Sequence, residues 1–157
     1  MRNITILAAL LLFAGLLSVP SVNAQGSVKT GPDPSTIRDP DLEKDSLHNL
    51  EVANHYFKLK KAYVAAIKRC EEIIAGNPNF ARMDEVLYIA GKSSLLLSEK
   101  KGKQESKQTT DQLREDARTY LTQLVNDYPQ SAFKKQAEED LRGLGTPKPG
   151  NAPKLKD

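Results

Sequence analysis

Two histidines, one cysteine and a scatter of lysines are the side chains best equipped for chemistry in this chain, and their spacing limits what they can do. His48 and His55 stand seven residues apart on a segment of helical periodicity. Seven residues are about 10.5 Å of rise, too far for both imidazoles to ligate one metal unaided. Glu51 lies between them, three residues from His48, but two groups do not complete a coordination sphere. A Ser/His/Asp set, a phosphate-cradling glycine loop and a zinc-ligand spacing are all missing from the sequence. The expectation is a chain without metal, cofactor or enzymatic activity. Cys70 falls on an apolar stripe, which predicts burial as a small hydrophobe rather than reactivity. A single cysteine also excludes an intramolecular disulfide framework.

What remains is recognition. Six residues are candidates for a binding groove: Asn54, Phe57 and Lys58 on one helix, and Tyr88, Lys92 and Leu95 on another. An aromatic floor with an amide and two ammonium groups would grip an extended peptide or a C-terminal carboxylate. The structural alternative makes Phe57 and Leu95 core residues and the lysines ordinary solvated charges. Nucleic acid is not expected. The 23 basic side chains, Arg2 among them, nearly balance the 20 acidic ones. Nucleic-acid binders usually cluster basic charge on one face instead.

These residues need elements to hold them. Met1 to Ala24 reads as a cleaved secretory signal: Arg2 supplies the positive start, Ile4 to Val19 the apolar stretch, and Val22-Asn23-Ala24 the small-residue cleavage site. The apolar stretch is shorter than the ~20 residues a membrane span needs. Residues 25–38, rich in Gly, Ser, Pro and Thr, cannot bury enough apolar surface to fold and are expected to form a flexible tether. Asp39-Pro40 then opens a first helix, as N-cap and first helical residue, and this helix runs to about Leu59. After a tight turn at Lys60-Lys61, Tyr63, Ile67, Cys70 and Ile74 mark a second helix over 62–75. Gly76 is available for a left-handed C-cap and Pro78 stops the chain.

A third helix covers about 82–98. Its broad apolarity (Met83, Leu87, Ala90, Leu97) fits an element covered on two sides. Residues 98–110 are polar and basic, without apolar periodicity, and are expected to be a flexible insertion. Thr109-x-x-Gln112 resembles a capping box and opens a fourth helix, which Pro129 ends. Ser131 caps a shorter fifth helix carrying Phe133, Ala137, Leu141 and Leu144. Residues 146–157 read as a disordered tail.

The second and fourth helices share a spacing. Ala66 precedes Pro78 by twelve residues, and Ala117 precedes Pro129 by twelve. That interval separates the small residue of the second helix from the terminal proline in a tetratricopeptide repeat. The expected fold is all-α, with tetratricopeptide-like helical hairpins over 39–145: about two repeats plus a closing helix. About three repeats are normally needed to cover a core. The first helix should therefore keep apolar residues on more than one face, among them Leu42, Leu47, Leu50, Val52, Tyr56, Phe57 and Leu59. A partner, or a second copy of the chain, is the expected cover.

The run Ala53 to Asn79 carries Tyr56-Phe57, Ala62-Tyr63-Val64-Ala65-Ala66-Ile67, Arg69 and Asn77-Pro78, and it resembles the BamD family. Those are tetratricopeptide components of the outer-membrane β-barrel assembly machinery. The likeness continues through Arg82 to Tyr88 and Tyr128-Pro129-Gln130-Ser131. It implies a periplasmic or cell-envelope protein–protein interaction module whose partners are envelope proteins or extended peptide segments, with peripheral outer-membrane association through a protein partner. Family members carry a lipidated cysteine directly after the signal. Gln25 occupies that place here, so lipid anchoring is not expected. Members also have about five repeats, more than this chain supplies. Two alternatives remain: a general envelope scaffold of another repeat type, and an anionic-surface binder using the basic 100–107 segment and the lysines of the tail.

Overall fold

The computed structural model describes residues 38–145. The expected signal, nearly all of the tether and the tail lie outside the described residues. Within them the chain is all-helical, with no strand. Five α-helices follow one another: α1 (Pro40–Asn54), α2 (Tyr63–Gly76), α3 (Met83–Ser98), α4 (Thr110–Asp127) and α5 (Lys134–Leu144). A π-helical turn, His55–Lys60, continues α1. Each helix lies against its neighbour in sequence, and α1 with α3 and α3 with α5 also touch. The result is two helical hairpins, closed by a fifth helix, with α3 surrounded.

Local chemistry explains the boundaries. Asp39 caps α1, its Oδ1 accepting from the Asp41 and Leu42 amides at 2.8 and 3.3 Å, with Pro40 at the first helical position. The capping box of α4 is complete. The Gln112 amide donates to Thr109 Oγ1 at 3.2 Å, and the Thr109 amide donates to Gln112 Oε1 at 2.8 Å. Ser131 Oγ accepts from the Phe133 amide at the entry to α5. Lys61, in the left-handed region at φ 51°, makes the turn after the π-helix. Two caps differ from expectation: Ser131 is the expected cap of α5, but the N-cap residue there is Phe133, which has no side-chain cap bond. Gly76 is the last residue of α2, and Asn77, at φ −144°, ends the helix by donating its amide to the Ile73 carbonyl.

The core runs through both hairpins, from Leu50 and Ala53 of α1 through Ala66, Leu87 and Ala90 to Ala117, Leu121 and Leu124 of α4. Small residues set the helix separation. A Cβ built on Gly91 would stand 2.7 Å from Leu121 Cγ and 3.3 Å from the Ala117 carbonyl, so α3 and α4 meet where only glycine fits. Ala53, Ala66 and Ala117 are fully buried.

Polar joints fasten the turn after each hairpin to the first helix of that hairpin. Buried Asn77 donates its amide to Ser46 Oγ and Glu43 Oε1, both at 3.2 Å, and Glu43 also accepts from the Ala81 amide. In the next turn Ser131 Oγ donates to Asp84 at 2.7 Å. Ser46 and Asp84 each lie seven residues before the small residue of their helix, Ala53 and Gly91. The two hairpins are thus fastened at matching heights.

Candidate functional site

Three surfaces compete as the site. The first is the six-residue groove. Asn54 is part-buried, its amide donating to the Leu50 carbonyl at 3.2 Å and to Glu85 Oε1 at 2.9 Å. Glu85 is 8% exposed and also accepts from Arg82. Phe57 is half-buried against Tyr63, ring centroids 5.9 Å apart. Tyr88 stacks on Phe133 at 5.0 Å and 18°. Burial, with Asp140 nearby, holds the Tyr88 phenol above its ordinary range. Lys92 pairs with Asp140 at 2.5 Å, a contact between α3 and α5. Leu95 is buried in the core, and of the six only Lys58 is exposed and without a hydrogen bond or ion pair to the rest of the fold. The proposed groove is therefore corrected. Leu95 is core, Phe57 belongs to a second apolar cluster, and Asn54 and Lys92 join helices to one another. Periodicity marked the right helices but could not show which charges find partners across them.

The second surface is the insertion, expected to be flexible. In the structure it touches the rest of the fold at three points. The Lys103 amide donates to the Lys61 carbonyl at 3.1 Å, and the Ala65 amide donates to Gln104 Oε1 at 3.1 Å. Gly102, at φ +101°, lies so close to Tyr63 that an added Cβ would stand 2.6 Å from its ring. Gln104 thereby caps α2, whose own N-cap residue, Ala62, has no side chain able to do so. A cleft of about 530 Å³ opens under this segment, with Leu97 and Leu113 at its base and Lys100, Lys103, Gln104 and Gln108 among its walls. Lys101 is engaged with Glu99 at 2.8 Å.

The third surface is α1. The exposed large apolar side chains among the described residues are Leu42 at 43%, Leu47 at 40% and Leu59 at 70%, all on α1 or its π-helical continuation. Leu50 of the same helix is fully buried, and Tyr56 and Phe57 are half-buried.

Elsewhere the reactive side chains are quiet. Burial, reinforced by Glu71 and Glu85, pushes the Cys70 thiol up to about 12. Burial likewise raises the Tyr120 phenol, whose hydroxyl reaches Glu71 at 3.5 Å. Among the described residues no group of three His, Cys, Asp or Glu side chains is placed to hold a metal. His48 and His55 are exposed on α1. No helix among the described residues is long and apolar enough to cross a membrane.

Comparison with family models, curated proteins and solved structures finds no match for this chain.

Proposed function

We propose that this chain is a protein–protein interaction module of the cell envelope, a tetratricopeptide-like stack that docks through the outer face of α1. The carrying observation is that the exposed large leucines are not scattered. Leu42, Leu47 and Leu59 share one terminal element of the stack. Single exposed apolar residues are ordinary on protein surfaces, whereas several gathered on one element mark a contact site. The end helix of a short repeat array lacks the next repeat that would cover it. The secretory pattern ending at Ala24 and the resemblance to BamD support a periplasmic setting and envelope proteins as partners.

The test replaces Leu42, Leu47 and Leu59 together by Glu and follows cross-linked adducts in envelope fractions. The reading predicts an unchanged melting temperature and loss of the adducts. Adducts that persist at wild-type yield in the folded variant would refute it.

A second reading has its own observation. The basic insertion is held in place, with Lys100 and Lys103 on the walls of its cleft, as a contact for an anionic surface would require. Such a contact should weaken steeply with salt, whereas an apolar α1 contact should not.

A further inference from the structure

Leu47, Glu51, His55 and Leu59 form a stripe at four-residue spacing, and all four are exposed. In a regular α-helix a four-residue step overruns the 3.6-residue turn, so such a stripe drifts round the helix by about 40° per step. Here the last step lies in the π-helical turn His55–Lys60, which winds each residue through a smaller angle and brings Leu59 back into line. The π turn thus straightens a stripe that α geometry alone would coil away. Along it the chemistry reads apolar, acid, base, apolar, the same from either end except that acid and base exchange places.

From this order we propose that the occupant of the α1 face is a second copy of this chain, its α1 antiparallel to the first about a two-fold axis near Ala53. The inference rests on the reading of α1 as the docking face. Antiparallel pairing about residue 53 sets Leu47 on Leu59 of the second copy, twice, and Glu51 on His55 of the second copy, twice. An imidazole N–H donates to a carboxylate, so each Glu51 gains a partner that it lacks within the described residues. The acidic start of α1 and the basic run Lys58, Lys60, Lys61 at its end favour this direction and oppose the parallel one. A two-fold contact requires such self-complementarity, each residue meeting the one that meets it. A partner that is not a second copy has no reason to find acid and base at mirrored positions.

The contact is one helix wide and, from residue 47 to residue 59, about 18 Å long. It belongs with small interfaces below about 1,200 Å², so the dimer should be reversible and concentration-dependent.

Sedimentation equilibrium of the full chain over a concentration series tests this. The wild type should show a monomer–dimer equilibrium. Glu51→Lys should weaken it about tenfold, by setting Lys against His55, and His55→Glu similarly, by setting Glu against Glu51. The double variant Glu51→Lys/His55→Glu should recover most of the affinity, since opposite charges meet again. Leu59→Asp should abolish association. All four side chains are exposed, and melting curves confirm that each variant folds. A strict monomer at every concentration overturns the proposal, as does a double variant no tighter than the singles. If the monomer still loses envelope adducts on Leu59→Asp, self-pairing falls while α1 remains the docking face.

Discussion

α1 and α3 occupy equivalent places, each the first helix of a hairpin, yet they differ in almost every respect that bears on function. α3 buries twelve of its sixteen residues, including Ser93, Ser94 and Glu85, whereas α1 buries three of fifteen. The difference comes from position in the stack. α3 has α1 and α2 on one side and α4 and α5 on the other, so every face meets another helix. Among the described residues α1 has neighbours on one side only and keeps leucines in the open. The lesson is that equivalent positions in a repeat need not share a role. Tyr88 and Lys92 look like groove residues on α3 but are used internally, on Phe133 and Asp140. The exposed large apolar side chains among the described residues lie at the edge of the stack, on α1 and its π-helical continuation.

The sharpest way to break this contrast is truncation of a leucine on each helix. Leu87→Ala in the fully buried α3 should cost about 2–5 kcal/mol. Leu47→Ala on α1 should stay within about 0.5 kcal/mol, as at other exposed sites. Chemical denaturation of both variants measures the gap, and equal losses would mean that α1 is covered within the chain.

A smaller effect sharpens the account of how the hairpins close. Ala66→Leu in the first and Gly91→Leu in the second should each lose about 1–3 kcal/mol by overpacking. Gly91→Leu should be the worse, because the Leu121 side chain already stands within 3 Å of the new Cβ. A wild-type melting curve for either would show that the small residue is not needed at its crossing.

The loops separate the hairpins next. The first is closed by the tight Lys61 turn, the second by the 99–109 segment, which reaches back to cap α2. Replacing that segment with a short Gly-Ser link should cost about 1 kcal/mol, mostly through loss of the Gln104 cap. Gln104→Ala alone should account for most of it. No loss in either, read by thermal melts, would make the three attachments incidental.

The smallest effect is on Cys70 and depends on pH. Its thiol value in the fold, about 12, lies above the ordinary 9.0, so the folded state holds the proton more tightly than the unfolded chain. That stabilising contribution is complete below pH 9 and declines as pH rises from about 9 towards 12. Thiol labelling at pH 8 should proceed only as fast as the protein unfolds. Rapid labelling of the native protein would place Cys70 nearer the surface.

Much of this architecture was legible in the sequence because helices announce themselves locally. Asp39-Pro40, Thr109-x-x-Gln112 and the apolar stripe through Cys70 each depend on residues within a turn or two of one another. The exposed edge of α1 was legible too, since a short array must leave an end uncovered. The groove was not. Whether Lys92 is free depends on Asp140, forty-eight residues away, and no local pattern links them. The attachments of the insertion were not legible for a related reason: its composition carries no apolar face, but it meets the fold through one backbone–backbone hydrogen bond, one bond from the Ala65 amide to the Gln104 side chain, and a glycine against Tyr63.

The central claim is that contact is made through α1, not through the α3 face or the insertion. Photo-reactive side chains placed singly at Leu47, Leu59, Lys92 and Lys103, in cells carrying the otherwise intact protein, test it in one experiment. The account predicts protein adducts from positions 47 and 59 and few from positions 92 and 103. Adducts confined to 92 or 103, with none from α1, would contradict it.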